Sequence, residues 1–324
     1  AGVGTKGRCK ERSLKFPRCV RRYESREGYI IAIRPSSSFY VFHDGLLTML
    51  EFTKMHSLGN DFVMLNDVRR VLDLSTDQIQ RIADRHRGIG CDQVIVAQSG
   101  QEGVDFFMRV FNADGSEVGQ CGNGARCLGR YLVEQGLSER RTISIRTTTT
   151  RLELKVGADW QVQVQMNTPA FAPTEVPFDA ERDELIHSVD VGGEAVAVAV
   201  ASVGNPHAVI QVEDLERAPV GRLGPAIETH RRFPEGANVG FLQVFDHDRV
   251  ALRVWERGVG ETQACGSGAC AAMAVAHRQG LVGDRVAVEL SGGTAIVSWM
   301  GRGAICLEGP AITVFQGRID LESG

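Results

Sequence analysis

The sequence predicts an α+β fold of two pseudo-symmetric sheet-and-helix domains that arose by internal duplication. Three observations lead there. First, residues 106–136 (FFMRVFNADGSEVGQCGNGARCLGRYLVEQG) align without a gap on residues 250–280 (VALRVWERGVGETQACGSGACAAMAVAHRQG) at an offset of 144, so that Arg109 falls on Arg253, Glu117 on Glu261, Cys121 on Cys265 and Gly136 on Gly280. Second, the likeness extends outward: SLGNDFVML at 57–65 matches SVGNPHAVI at 202–210, and RHRGIGCDQVIV at 85–96 matches RRFPEGANVGFL at 231–242. A period this long is a duplicated domain, not a solenoid unit. Third, short strand-like runs dominate and one longer helical stretch recurs in each half, as an α+β architecture requires. The 324 residues also suit two domains on length.

The elements read as follows. Leu50–Thr53 and Phe62–Asn66 are strands around a Gly-Asn turn. Asp77–Arg85 is helical, with Ser75 or Thr76 as its cap. Gln93–Gln98 and Asp105–Asn112 are strands. Ala125–Gln135 is a helix closed by Gly136. Thr142–Thr150, Arg151–Val156 and Trp160–Met166 are strands. Pro169, Pro173 and Pro177 bar regular structure from Asn167–Phe178, the natural linker. The second half repeats this order, with a helix near 211–217 or 222–232 and then the second cysteine helix. Val286–Glu289, Thr294–Trp299 and Ala304–Glu308 are closing strands. Ala311–Ile319 follows Pro310 and returns to pair with the first half. The domains expected are therefore 49–166, completed by 311–324, and 167–310.

Apolar content of 43% and charged content of 23% are ordinary for a globular chain with a sizeable core. No apolar run reaches the ~18 residues of a membrane span. Eight cysteines in 324 residues form no dense disulfide framework, which favours free thiols in a reducing setting. Residues 1–48 carry a net charge of +6, from ten Lys/Arg against four acids, and the remainder carries −10. An acidic body argues against nucleic acid as its ligand. Residues 1–48 read as a basic extension outside the fold. A transit peptide or a nucleic-acid arm are the alternatives.

In each repeat a strand (MRVFN, LRVWE) runs into a polar turn, then Cys-Gly-x-Gly, then a helix. Cys121 and Cys265 thus sit at helix N-termini, where unpaired N–H groups and the macrodipole favour anions and thiolate. Gly122, Asn123, Gly266 and Ser267 offer backbone N–H groups to a carboxylate. If the two turns face each other, two thiols flank one carbon. One removes its proton and the other returns a proton to the opposite face. That is racemisation or epimerisation without a cofactor. A single helix-start cysteine is ordinarily apolar filler; the matched pair is what points to chemistry. Cys91, Cys127, Cys270 and Cys306 read as core. The cysteine spacings are not those of a zinc site. Gly266–Ala271 fits a loose dinucleotide pattern, but its partner copy breaks it. His207 could withdraw a thiol proton. Glu256 and Arg257 could bind an ammonium and a carboxylate. Asn60, Asn112, Asn123, Asn205 and Asn238 all fall in turns, where Asn is common for backbone reasons.

The segments FTKMHSLGNDFV (52–63), RHRGIGCDQ (85–93), FNADGSEVGQCGNGARC (111–127), SVGNPHAV (202–209), GANVGF (236–241) and WERGVGETQACGSGAC (255–270) together resemble the diaminopimelate epimerase family. The resemblance covers about residues 50–320. It implies two domains around a cleft and interconversion of LL- and meso-2,6-diaminopimelate in lysine and peptidoglycan-precursor synthesis, without pyridoxal phosphate or metal. It implies that Cys121 is the base toward the LL-isomer and Cys265 toward the meso-isomer, with His207 and Glu256 tuning the thiols and holding the ammonium. It makes Gly122, Asn123, Gly266 and Ser267 the carboxylate turns. It assigns Asn60, Gln93, Asn112, Asn205, Asn238 and Arg257 to the rest of the substrate. Ser57 departs from the family pattern, which has Gly there. A cytoplasmic homodimer is expected, with a plastid enzyme as the alternative if residues 1–48 are a transit peptide. Neither nucleic acid nor membrane is an expected partner. Proline-type racemases share the two-cysteine logic but need no distal anchor such as Arg257. A thiol redox sensor would join Cys121 to Cys265 and exchange no α-proton.

Overall fold

The computed structural model describes residues 49–119 and 121–321, and strand pairing alone for 20–25, 28–33, 40–43 and 46–48. The first half opens with strand Leu46–Ser57, which turns through Leu58 and Gly59 (φ 53° and 82°) into the antiparallel strand Asn60–Asp67. Helix α1, Thr76–Ala83, starts on a capping box in which Ser75 and Gln78 satisfy each other's backbone N–H groups. The chain returns in Gln93–Ser99, parallel to Asn60–Asp67 and aligned Phe62 to Gln93. Phe106–Asn112 then runs back beside it. Helix α2, Gly122–Glu134, follows, and a meander of Thr142–Arg146, Arg151–Val156 and Gln161–Gln165 closes this half.

The second half repeats the plan. Pro206–Gln211 is parallel to Asn238–Val244, aligned His207 to Asn238, with helix α3, Val220–Glu228, between them. Arg249–Glu256 runs back antiparallel, and helix α4, Gly266–Arg278, follows. The duplication extends to an ion pair. The guanidinium of Arg109 grips Glu117 with two hydrogen bonds of 2.9 and 2.8 Å, and Arg253 grips Glu261 at 2.7 and 3.1 Å.

Two ladders join the halves. Cys306–Pro310 pairs with Gly293–Ser298 on one side and with Gln161–Gln165 on the other. Ile312–Asp320 pairs along Leu46–Ser57. Helices α2 and α4 lie inside the largest core cluster, which holds Cys127, Leu128, Val162, Cys270, Met273 and Leu307 together. Helix α4 is apolar all round, with buried Ala269, Ala271, Ala272, Ala274 and Ala276, as a helix enclosed on every side must be. Cys91, Cys127 and Cys270 are buried core residues, and Cys306 is half-buried. Short strands at Val20–Ser25, Gly28–Ile33 and Tyr40–His43 form a meander onto Leu46–Ser57.

The third helix departs from the sequence-based ranges. It begins after Pro219 and contains Pro225, rather than occupying 211–217 or extending to 232. Proline at the N-terminal boundary costs little because the first N–H groups have no intrahelical partner.

Two glycines of α3 should respond oppositely to alanine. A Cβ on Gly224 would lie 2.7 Å from Cγ of Trp255, whereas one on Gly221 would meet nothing within 4 Å. Gly224→Ala is expected to cost about 1–3 kcal/mol by overpacking, and Gly221→Ala to gain up to ~1 kcal/mol from helix propensity. Urea unfolding midpoints check both signs.

Candidate active site

Each repeat delivers its cysteine as a helix N-cap. Cys121 caps α2 in extended conformation (φ −150°, ψ 107°), and its Sγ accepts from the Gly124 N–H at 3.3 Å. Cys265 holds the N-cap position of α4 in a similar conformation (φ −113°, ψ 109°) but without a side-chain cap bond, and its Sγ lies 3.6 Å from Oγ of Ser267. Glycine recurs three residues on, where space is short. A Cβ on Gly124 would stand 2.5 Å from Ile95 Cδ1 and one on Gly268 3.1 Å from Val254 Cγ2, with the thiol sulfurs at 3.4 and 3.3 Å. The two turns are joined directly, because Nδ2 of Asn123 donates to the carbonyl of Ala264 at 2.9 Å, next to Cys265.

The first half supplies Asn60 at a strand start. Its Oδ1 faces Asn123 Nδ2 at 3.2 Å and the Cys121 sulfur at 4.0 Å, and its Nδ2 donates to Asp92 at 2.8 Å. Behind it Asp61 accepts from Lys54 and, at two oxygens, from Arg85. Burial pushes the Asp61 carboxyl up, but Arg85 and Lys54 together outweigh it and hold it well below the carboxylate range. Gln93 Nε2 donates to Asn112 Oδ1 at 2.9 Å, while Gln93 Oε1 is buried without a protein partner.

The second half places Glu256 at the end of its strand, where Oε1 accepts from Thr262 at 2.5 Å. Its negative charge raises both thiols and it hydrogen-bonds Cys265, so one carboxylate is felt by both cysteines. Trp255 and Gly258 on either side are clamped by Glu228 at 2.6 and 2.7 Å. Buried His207 contacts Asn205 Oδ1 through Nε2 at 3.1 Å. Asn238 accepts from the Arg257 N–H at 3.0 Å and donates to the Pro206 carbonyl at 3.2 Å, and the Arg257 guanidinium holds the Glu235 carbonyl at 2.6 Å. By the repeat, Asn60 corresponds to Asn205 and Asn112 to Glu256; strand register makes Gln93 equivalent to Asn238, since Gln93 lies beside Phe62 as Asn238 lies beside His207. Sequence reasoning missed Asp92, Thr262 and Glu228, which orient these groups. Their one local signal was proximity in sequence to Gln93, Cys265 and α3.

The thiolate expectation needs correction. Burial pushes the Cys121 thiol from its ordinary 9.0 up to about 11, against the pull of the Gly124 N–H, and Glu256 adds to the rise. Burial, then Glu256, drive Cys265 well above 9.0. A helix N-terminus is worth at most ~2 kcal/mol and a pKa unit about 1.4 kcal/mol, so desolvation wins. Burial and the Arg257 charge lower His207 from 6.5 to about 3, which leaves a neutral imidazole and a weak base. Among the described residues no three His, Cys, Asp or Glu side chains converge as a metal site requires, and no helix is long and apolar enough to cross a membrane. A cavity of about 580 Å³ lies elsewhere, lined by Ile186, Ala197, Val209 and Leu242, and includes none of these site residues.

Two N-cap cysteines thus stand at the seam of a duplicated α+β fold. Solved structures share that class of fold. A hydroxyproline epimerase from Agrobacterium vitis superposes with a TM-score of 0.63 at 17% identity, covering 85% of this chain and 94% of that one. A phenazine-biosynthesis PhzF-family protein from Bacillus anthracis gives 0.61 at 18% identity, covering 84% and 99%. Within that class, the diaminopimelate epimerase pattern matches residues 52–172 and 199–314. The diaminopimelate epimerases of Stutzerimonas stutzeri and Aromatoleum aromaticum are 49% and 48% identical over 275 residues, which is 84% of this chain and 100% and 99% of theirs. The chain belongs to the diaminopimelate epimerase family.

Two pH effects follow. In the ligand-free protein, Cys121 alkylation by iodoacetamide should stay slow at neutral pH and rise only above about pH 9, toward about 11; peptide mass spectrometry reads it. Between pH 6.5 and about 3 only unfolded chains protonate His207, so that stabilisation is lost as pH falls through this window. His207→Gln should flatten the acid side of the urea-midpoint profile.

Proposed function

We propose that the chain interconverts LL- and meso-2,6-diaminopimelate, inverting one α-carbon between Cys121 and Cys265, in lysine and peptidoglycan-precursor synthesis. The observation that carries this is the pair of equivalent N-cap cysteines joined through Asn123 and sharing Glu256. The names of the relatives supply the substrate.

One cysteine acts as thiolate and takes the α-proton. The other, a thiol, gives its proton to the opposite face. The enzyme ends with the two protonation states exchanged, and the product has the inverted centre. Cys121 is the base toward the LL-isomer and Cys265 toward the meso-isomer. One thiol proton must leave first, and the Glu256 carboxylate at Cys265 is placed to accept it. His207 serves as a neutral hydrogen-bonding group. The N–H groups of Gly122, Asn123, Gly266 and Ser267 hold the reacting carboxylate and stabilise its developing charge. Glu256 also meets the reacting ammonium. Asn60, Gln93, Asn112, Asn205, Asn238 and Arg257 grip the distal amino-acid end, and the open Gln93 Oε1 is an acceptor for its ammonium. Neither pyridoxal phosphate nor metal takes part.

The same reading divides the chain into 49–166 with 311–324, and 167–310; the Ile312–Asp320 ladder on Leu46–Ser57 supports it. Exposed Ile312, Val314 and Phe315 on that strand support a homodimer. The bacterial relatives favour a cytoplasmic over a plastid enzyme.

The test is α-proton exchange and epimerisation of diaminopimelate isomers in deuterated water. Cys121→Ala and Cys265→Ala should each lose at least about 10²–10⁴-fold in turnover, the span of general acid–base catalysis. Cys127→Ala should remain active. A dead Cys127→Ala beside a fully active Cys121→Ala would reverse the assignment.

A further inference from the structure

We propose that Arg126 is a positioning residue for the reaction, holding the two cysteine turns in register across the seam and placing a buried positive charge beside Cys121. It stands on helix α2 with no solvent exposure. Its Nε and Nη2 donate to Oγ of Ser57 at 3.0 and 2.8 Å, and Nη2 donates to Asn123 Oδ1 at 2.6 Å. Ser57 in turn donates to the Pro310 carbonyl at 2.7 Å. Gly309 of the second half makes room, since a Cβ there would stand 3.2 Å from Nε; a Cβ on Gly266, the first residue of α4, would instead crowd Leu307 at 2.9 Å and Asn123 Oδ1 at 3.3 Å.

The guanidinium orients the Asn123 amide. With Oδ1 tied to Arg126, Nδ2 must point the other way, to Asn60 Oδ1 and the Ala264 carbonyl. Asn123 therefore links the Cys121 turn to the residue before Cys265 in a single orientation. Ser57 is the anchor of this chain at a position where the family resemblance has Gly. Its hydroxyl accepts two guanidinium N–H groups and passes the contact to the second half.

Arg126 is a poor device for stability. Burial lowers its pKa, and the ionisable groups it faces are Cys127, Cys121 and Cys270, not a carboxylate. Among the described residues it joins no salt bridge, and its Nη1 is buried without a partner. A buried charge without a counter-ion is costly. What it does offer is a favourable field for an anion at the α2 and α4 N-termini. The Arg126 charge lowers the Cys121 pKa, against Glu256, which raises it.

The proposal rests on Cys121 being one of the two acid–base groups, so one arm of its test needs no turnover. In ligand-free Arg126→Met, Cys121 alkylation should move to higher pH, since a charge that lowers the thiol pKa is removed. In steady state the kcat for diaminopimelate should fall roughly 10- to 100-fold, with a smaller change in KM, as misplaced reacting groups do. Arg126→Lys should recover most of the alkylation profile but little of kcat, because an ammonium has no planar fork to span Ser57 and Asn123. Ser57→Ala keeps the charge and loses the anchor, so kcat should fall with little change in alkylation. These two variants carry the test if Arg126→Met does not fold. Native kcat in both folded Arg126→Lys and Ser57→Ala would overturn the positioning role. An unmoved Cys121 profile in folded Arg126→Met would overturn the electrostatic one.

Discussion

The side-chain amide of Asn123 crosses from one half of the molecule to the other, and the geometry of the seam depends on where its two ends point. Its oxygen is held at 2.6 Å by Arg126, and its nitrogen lies 2.9 Å from the Ala264 carbonyl. Moving that amide would uncouple the first turn of α2 from the first turn of α4. Around it the fold supplies only what brings backbone close: glycines at 124, 266, 268 and 309, and the alanine-rich α4. Two helix N-termini brought together place like partial charges side by side. The arrangement is at ease only with negative charge nearby. Glu256 provides it on one side, where the equivalent position in the first half is neutral Asn112.

Burial opposes that pull at both thiols and pushes their pKa values up in the ligand-free protein. The same enclosure that would strengthen every hydrogen bond to a substrate carboxylate also penalises a thiolate. Desolvation outweighs the helix dipole at both cysteines, and Glu256 adds to it. A substrate ammonium would shift the balance the other way, because it places a cation between Glu256 and the sulfurs. Under the proposed reaction, the base is thus made by binding rather than stored in advance.

The duplication made much of the fold legible in the sequence. Matching repeats fixed the equivalence of α2 with α4, and both cysteines occupy the N-cap positions their turns suggested. The return of the last strand to the first half was also legible, as the run Ala311–Ile319 after Pro310, and it pairs as Ile312–Asp320. Helix α3 was harder, since Pro219 and Pro225 obscure its helical signal. The site was legible as residue types in turns, but not as contacts. Ser57 with Pro310, Asn123 with Ala264 and Arg126 with Ser57 each join distant segments. No local spacing encodes them. Arg126 has no local signal of its partners, because Ser57 lies 69 residues away in sequence. The thiol protonation state was out of reach for the same reason: N-cap position is local, while burial is a property of the assembled seam.

Symmetry of the backbone does not extend to the surroundings of the two sulfurs. Cys121 is met by the Gly124 N–H and the Asn60 amide, and Cys265 by the Ser267 hydroxyl and the Glu256 carboxylate. A site with two identical halves would suit a substrate whose two faces are equivalent. Inverting one centre of a molecule with two amino-acid ends poses a different demand, because the reacting and unreacting ends must be told apart. Asn238 and its first-half counterpart Gln93 are both uncharged amides, but Arg257 has Ala113 at the equivalent position of the first half. The duplicated fold therefore supplies two equivalent thiol positions, and divergence between the copies supplies the direction in which a substrate can lie.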